Sequence, residues 1–478
     1  MVIRISFAWS RPAAYPGCVY GDGRMQDSPG FSAVPGPSVA PAPAPGHPPA
    51  AAGIPRATCL VVGAGIVGTL SALRLLQQGH AVCLVDSDFE ALCCSTGNAG
   101  SVSAGSVVPL GMPGLWKQVP RWLIDPEGPL SIRPEYAGRI APWLLRFLQA
   151  STPDRVARIA PALHALNAPS IALYRELADA LGASTLFQAT GQLQVYTSEQ
   201  ARQKDAGGWR LRQAHGVAMQ PVERADIQAL EPAVGAQYTH GMFLPDEGMV
   251  TDPRGLLQRL RQAVVQAGGE LLQARVQGLQ PQADQGMRVE TTHGPRTVQH
   301  VVVAAGAWSH RLAAQLGDRV PLQPQRGYHV VFEDSGVALK RPVVAAEAKC
   351  FATPMDMGLR VAGTVEFGSL DAPPDPRRTQ ALLKHSQALF PGLRVGDAAT
   401  RSTWMGCRPC LPDSLPVIGP SKAGARVIYA FGHGHLGLTQ APMTARVVAD
   451  LVAGRSPAID IQPYRACLLY TSPSPRDS

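Results

Sequence analysis

Between Ala57 and Asp86 the apolar positions change period twice. Cys59 to Val62 is a short apolar run, Ile66, Val67, Leu70, Leu73 and Leu76 recur at helical spacing, and 81–85 is a second apolar run. Gly63 and Gly79 bound the middle stretch, so the segment predicts strand, turn, helix, strand. Helical periodicity returns over 140–148 and 162–181, where Leu163, Leu166, Ile171, Leu173, Tyr174 and Leu177 read as core. Residues 191–196 alternate as a half-buried strand, and a helical stretch near 209–214 with polar turns completes a separate lobe. Asp252 and Pro253 open a helix over 255–267, and strands are predicted at 270–279, with Val276 facing inward, at 287–292 and at 298–304. Strand-like stretches at 328–332, 343–346, 350–353 and 359–362 precede a helix over 379–390. A final strand, 427–431, runs through a glycine turn into a helix that ends at Gly454.

The first turn carries chemistry. Gly63, Gly65 and Gly68 spell G-x-G-x-x-G between a strand and a helix. The first glycine permits the tight turn, the second lets backbone approach a pyrophosphate, and the third lets helix and strand pack closely. Phosphates sit on the free N–H groups of such a helix start. Asp86 closes the second strand, where an acid accepts hydrogen bonds from a ribose hydroxyl. The alternative is a bare glycine-rich turn, but strand, glycines, helix, second strand and acid agree on dinucleotide binding.

Three later stretches suit the same ligand. Ser95 to Ser101 is small and polar, as a loop passing a planar ring or phosphate needs to be. The strand ending at Ala304 runs into the small residues Ala305, Gly306 and Ala307, as at the carboxyl edge of a parallel sheet. Gly432 to Thr439, GHGHLGLT, forms a second glycine turn opening a helix whose start faces an anion or an electron-rich ring edge. Cys407 and Cys410 form a C-x-x-C without a second pair, so no zinc set is complete, and no metal site is expected. His433 and His435 on a glycine loop read as cofactor contacts rather than metal ligands.

Composition narrows the class. The chain has 478 residues, enough for two domains or one large composite, and 45% apolar residues support extensive cores. Its net charge of +8 comes without a dense basic block and with only 6% aromatics, which argues against nucleic-acid binding. Nine scattered cysteines with no secretion signal ahead of them suggest reduced thiols and a cytoplasmic setting. No apolar run reaches membrane-spanning length, so any membrane contact is peripheral. Residues 1–56 are rich in Pro and Ala and read as a disordered leader, and 467–478, CLLYTSPSPRDS, as a non-native tail.

In order, the motifs GAGIVG, STGNAGSVSAG at 95–105, VVVAAGAWS, RGYHVVF at 326–332, GCRPCLPDSLPVIG and GHGHLGLT resemble those of the FAD-dependent amino-acid oxidoreductases, nearest the D-amino-acid dehydrogenases, with glycine and sarcosine oxidases as cousins. The likeness spans roughly 59–464. It implies an α/β fold in which a Rossmann-like FAD-binding domain (57–105, 235–320 and 403–466) is interleaved with an α+β substrate domain (106–234 and 321–402) containing a large antiparallel sheet. It implies an ADP site at Gly63, Gly65, Gly68 and Asp86, a backbone contact near adenine at Val276, and a cofactor-passing loop at Asn98, Ala99 and Gly100. Gly306 matches the small-residue strand end, and Gly432, Gly434, Leu436, Gly437, Leu438 and Thr439 match the loop and helix start beside the flavin's pyrimidine edge. Arg408 matches the arginine that clamps the substrate carboxylate, and the sequence departs from the family in placing Cys407 and Cys410 around it.

The implied reaction is oxidative deamination of a D-amino acid by hydride transfer from Cα to flavin N5, giving a 2-oxo acid and ammonia. Arg408 offers a planar fork to the carboxylate, with an ion pair to Asp413 as its alternative role. Tyr328 is a second candidate, bonding carboxylate or amine, or else sitting with its hydroxyl at the surface. Competing readings are a dehydrogenase or oxidase of a cyclic or N-substituted amino acid (D-hydroxyproline, sarcosine, glycine) and a non-catalytic flavin electron-transfer protein. The resemblance suggests a quinone or respiratory chain at the inner membrane face as electron acceptor, with oxygen as the other choice.

Overall fold

The computed structural model describes residues 57–115, 128, 130–282, 286–397 and 400–466; the leader at 1–56 and the tail at 467–478 lie outside them. Strand Cys59–Val62, helix Ile66–Gln77 and strand Val82–Asp86 form where the apolar period predicts them. They belong to a six-stranded sheet in the order Glu270–Gln273, Val82–Asp86, Cys59–Val62, His300–Val303, Gly424–Phe431, Val417–Ser421. The first five strands are parallel and the last is antiparallel.

These strands read as continuous apolar runs because both faces are covered. Val61, Leu84, Val302 and Ile428 pack against helices Ile66–Gln77, Pro253–Gln266 and Gly437–Val452. Leu60, Val85, Val301 and Val303 pack on the other face, against Leu279 and Val289 of a three-stranded antiparallel sheet. The predicted 270–279 strand is therefore two strands. Glu270–Gln273 edges the parallel sheet, whereas Val276–Pro281 begins the small one, with Val276 partly buried.

A nine-stranded, mostly antiparallel sheet runs Arg401–Cys410, Gln323–Phe332, Gly358–Phe367, Cys350–Met355, Val343–Ala345, Gln192–Tyr196, His240–Leu244, Gln220–Glu223, and Leu130–Ile132 also pairs with Gly358–Phe367. Helix Pro376–Leu389 covers part of it through Leu382 and Leu389. Two strands sit differently from the boundaries that the sequence suggests. His240–Leu244 and Arg401–Cys410 begin or lie in the stretches assigned to the nucleotide segments, yet both pair within the large sheet. The 162–181 helix is likewise two, Pro153–Asn167 and Ser170–Ala180, because Pro169 has no N–H to continue the first. Strand Gln192–Tyr196 is buried on both faces rather than half-buried, being internal to its sheet. No helix among the described residues is long and apolar enough to cross a membrane.

Candidate functional site

The glycine turn is built as its sequence requires. Gly63 has φ +104°, and a Cβ there would lie 2.5 Å from the Ala304 carbonyl oxygen, so strand ends 62 and 304 meet only through glycine. A Cβ on Gly68 would overlap the Gly63 carbonyl oxygen. Gly65 is the N-cap of the helix and supplies no side chain to it. The Ile66 N–H instead donates to Ser95 Oγ at 2.9 Å, which brings the small polar loop onto the helix start. Asp86 Oδ2 accepts the Ala64 N–H at 2.6 Å, and the Asp86 carbonyl accepts the Ala274 N–H at 2.7 Å. The acid, the turn and the approach to Val276 thus share one place. Gly306 follows at the neighbouring strand end with φ +53°. Gly68→Ala is expected to push helix and turn apart and to weaken flavin retention by tenfold or more, on an overpacking cost of about 1–3 kcal/mol. Flavin dissociation followed by fluorescence checks it.

The loop over 95–105 is fixed from the large sheet. Arg360 donates Nη1 to the carbonyls of Thr96 (3.2 Å) and Asn98 (2.7 Å), and the His329 ring bonds the Gly97 carbonyl at 2.8 Å. Trp404 stacks on His329 with centroids 5.0 Å apart, and a Cβ on Gly97 would overlap its ring. Burial pushes His329 down to about 3, so it bonds as a neutral ring. Asn98 Oδ1 accepts the Gly100 N–H, Gly100 takes φ +74°, and Ala99 is carried between them. The Ser103 N–H donates to Thr439 Oγ1 at 3.0 Å, joining this loop to the second glycine turn.

Glu247 closes the far end of the loop, accepting the Gly105 N–H at 3.0 Å, while its Oε2 has no partner among the described residues. Burial raises it to about 8. The folded value lies above the unfolded one, so its stabilising contribution is complete below about pH 4.5 and is lost as pH climbs toward 8. Glu247→Gln keeps the acceptor and removes the charge. Its Tm is expected to rise relative to wild type between pH 5 and pH 8, which thermal unfolding across that range checks.

The second glycine turn meets the Arg408 strand. Gly432 and Gly434 have φ +87° and +54°, and the Gly434 N–H donates to the Pro409 carbonyl at 2.9 Å. Leu436 is the N-cap of helix Gly437–Val452 without a side-chain cap, the first turn holds no acid, and Tyr174 donates to the Leu438 carbonyl at 2.6 Å. His433 is buried and bonds Thr444 Oγ1 at 3.0 Å, His435 is exposed, and both line a small recess with Cys410 and Leu411. Crowding by protein and the Arg408 charge push His435 down to about 4. No group of side chains among the described residues is arranged to hold a metal. Cys407 and Cys410 are both buried thiols, pushed up by desolvation to about 11 and about 12.

Arg408 is half-buried, and its guanidinium lies over Gly327 of the neighbouring strand, where a Cβ would overlap it. Its one hydrogen bond among the described residues runs from Nη1 to the Thr364 carbonyl at 3.4 Å, and no carboxylate pairs with it. Among the described residues Arg408 makes no ion pair with Asp413, whose Oδ1 accepts the Leu415 N–H at 3.1 Å. Desolvation lowers the guanidinium's affinity for its proton, the expected direction for a cation lacking a counter-ion.

Tyr328 is buried, so its hydroxyl is not at the surface. It donates to Glu366 Oε2 and accepts the Asp375 N–H at 3.0 Å. Glu366 is fully buried and also receives Arg133 and, at 3.4 Å, Arg326. Periodicity missed this network and the Arg360 and His329 anchors, because the partners are 38 to 264 positions apart. The only local hint is Arg326 two residues before Tyr328.

A family model described as FAD dependent oxidoreductase matches residues 58–451. A D-amino-acid oxidase of Bradyrhizobium diazoefficiens is 37% identical over 408 residues, covering 84% of this chain and 97% of the relative. A D-amino acid dehydrogenase of Chromohalobacter salexigens is 31% identical over 414 residues, covering 84% and 97%. Among solved structures, glycine oxidase from Geobacillus kaustophilus superposes with a TM-score of 0.68 at 22% identity, covering 86% of this chain and 98% of that one, a likeness of fold.

Proposed function

The chain belongs to the family of FAD-dependent oxidoreductases, and we propose that it oxidises D-amino acids to 2-oxo acids and ammonia. The observation that carries the substrate class is Arg408: a half-buried planar cation with no counter-ion among the described residues, on the strand tied through Pro409 to the second glycine turn. Such a fork suits a carboxylate, and the carboxylate would supply the charge the protein withholds. The D configuration rests on the two relatives' names and on nothing in the geometry.

The backbone cradle suits FAD: Gly63 and Gly68 stand where a Cβ would clash with backbone, and neither N-cap residue, Gly65 or Leu436, caps its helix with a side chain. Gly63, Gly65, Gly68, Asp86 and Val276 would hold its ADP half; Asn98, Ala99, Gly100, Gly306, Gly432, Gly434, Leu436, Gly437, Leu438 and Thr439 would surround the flavin half. When bound, FAD supplies the acceptor for the hydride leaving Cα. The protein's part is orientation: Arg408 fixes the carboxylate, and the helix start at Gly437 favours negative charge beside it. Tyr328 is assigned a positioning role, holding Glu366 and the sheet beneath Arg408 rather than touching substrate.

The test is anaerobic addition of D- and L-amino acids to the purified yellow protein. Bleaching by D-alanine or D-proline and not by the L forms is the expected result. Reduction by sarcosine or glycine alone would move the substrate to the N-substituted or unsubstituted class, and no reduction by any amine would leave an electron-transfer protein. Reoxidation by oxygen against a quinone analogue then assigns the acceptor, where the named relatives include both an oxidase and a dehydrogenase.

A further inference from the structure

We infer that Thr364 is a further substrate-binding residue, its hydroxyl donating to the same carboxylate that Arg408 grips; this rests on the amino-acid reading above. Strands Gln323–Phe332 and Gly358–Phe367 pair Arg326 with Glu366 and Tyr328 with Gly363. Thr364 and Val365 therefore oppose Gly327 alone, which is a β-bulge. Thr364 takes φ +53°, the left-handed conformation that the first residue of such a bulge normally reaches as glycine. For a β-branched residue this is a true outlier.

The bulge is where Arg408 is held. It turns the Thr364 carbonyl to the Arg408 guanidinium, which occupies the space where a Cβ on Gly327 opposite would stand. Thr364 is only 3% exposed, and its Oγ1 has no hydrogen-bond partner among the described residues. Two unfavourable features, backbone strain and an unpaired buried hydroxyl, thus coincide in one residue. Glycine would remove both while keeping the carbonyl where it is. A residue that is costly in two ways and replaceable in neither by packing is accounted for by a ligand.

A threonine's Oγ1 stays within roughly 5 Å of its own carbonyl oxygen, and that carbonyl is the atom Arg408 Nη1 reaches at 3.4 Å. A carboxylate offers about four acceptor sites on two oxygens. Arg408 fills two through its fork, and the Thr364 hydroxyl fills a third without any proton changing owner.

The experiment compares Thr364→Gly and Thr364→Ser with the wild-type holoenzyme, using D-alanine and D-proline as substrates and propionate as a non-reacting carboxylate. Thr364→Gly is expected to keep its flavin, to show a Tm at or above wild type, and to raise KM and the propionate Kd about tenfold with kcat within about threefold. Thr364→Ser, which keeps the oxygen, restores both constants. Thr364→Ala loses the oxygen but keeps a Cβ, and carries the same expectation should the glycine variant fail to fold. Unchanged KM and propionate Kd in the variants lacking the hydroxyl overturn the inference and leave Thr364 as bulge architecture. If wild type itself neither bleaches with an amino acid nor binds propionate, the substrate reading fails first and this inference falls with it.

Discussion

Arg408→Ala is expected to raise KM for the amino-acid substrate by about two to three orders of magnitude while the protein keeps its flavin. A bidentate, charge-assisted contact in a partly desolvated site is worth about 3–4 kcal/mol when one partner is removed. Among the described residues no carboxylate pairs with Arg408, so its removal strands no counter-ion there and should cost little stability. The backbone groups proposed to hold FAD lie on the glycine turns and the 95–105 loop and not on the Arg408 side chain. The ratio of flavin to protein absorbance should therefore match wild type, with steady-state kinetics carrying the whole effect. Arg408→Lys retains the charge as a point and not a fork, so an intermediate KM is expected. A variant that loses its flavin along with its activity would show Arg408 to be structural.

Glu366→Ala is expected to lower unfolding stability by about 3–5 kcal/mol, the range for removing one partner of a buried ion pair. The carboxylate is fully buried between Arg133, Arg326 and the Tyr328 hydroxyl. Arg326 is also fully buried; without Glu366 it keeps, among the described residues, only the carbonyls of Ala372 (2.6 Å) and Pro373 (2.8 Å). Its charge would then have no counter-ion in the low-dielectric sheet interior. Glu366 pairs across the strands with Arg326, one step from the Thr364 bulge, so the damage should reach Arg408 as a smaller rise in KM. Denaturant unfolding measures the first effect and kinetics the second. Glu366→Gln keeps an acceptor for Tyr328 and should fall between wild type and Ala.

Sequence reading reached far where the physics is local. The apolar period located the strand, turn and helix at 59–77, and the glycines stand where close approach or positive φ demands them, as Gly63 and Gly68 show. It misplaced junctions that depend on sheet partners. The 270–279 strand divides because Glu270–Gln273 finds Val82–Asp86 while Val276–Pro281 finds Met287–Thr291. The strand carrying Arg408 joins the large sheet because its ten residues pair throughout with Gln323–Phe332, a choice invisible in its own composition.

By itself the sequence determined most of the elements, the strand–glycine–helix turn, the family and the single arginine proposed for the carboxylate, since each is written in spacings of a few residues. Only the tertiary structure decided which groups those residues meet. It left Arg408 without Asp413, committed the Tyr328 hydroxyl to Glu366, and put the strained Thr364 beside the guanidinium. The reason is register: a one-residue bulge between strands some forty positions apart sets which side chains meet, and no local period encodes it.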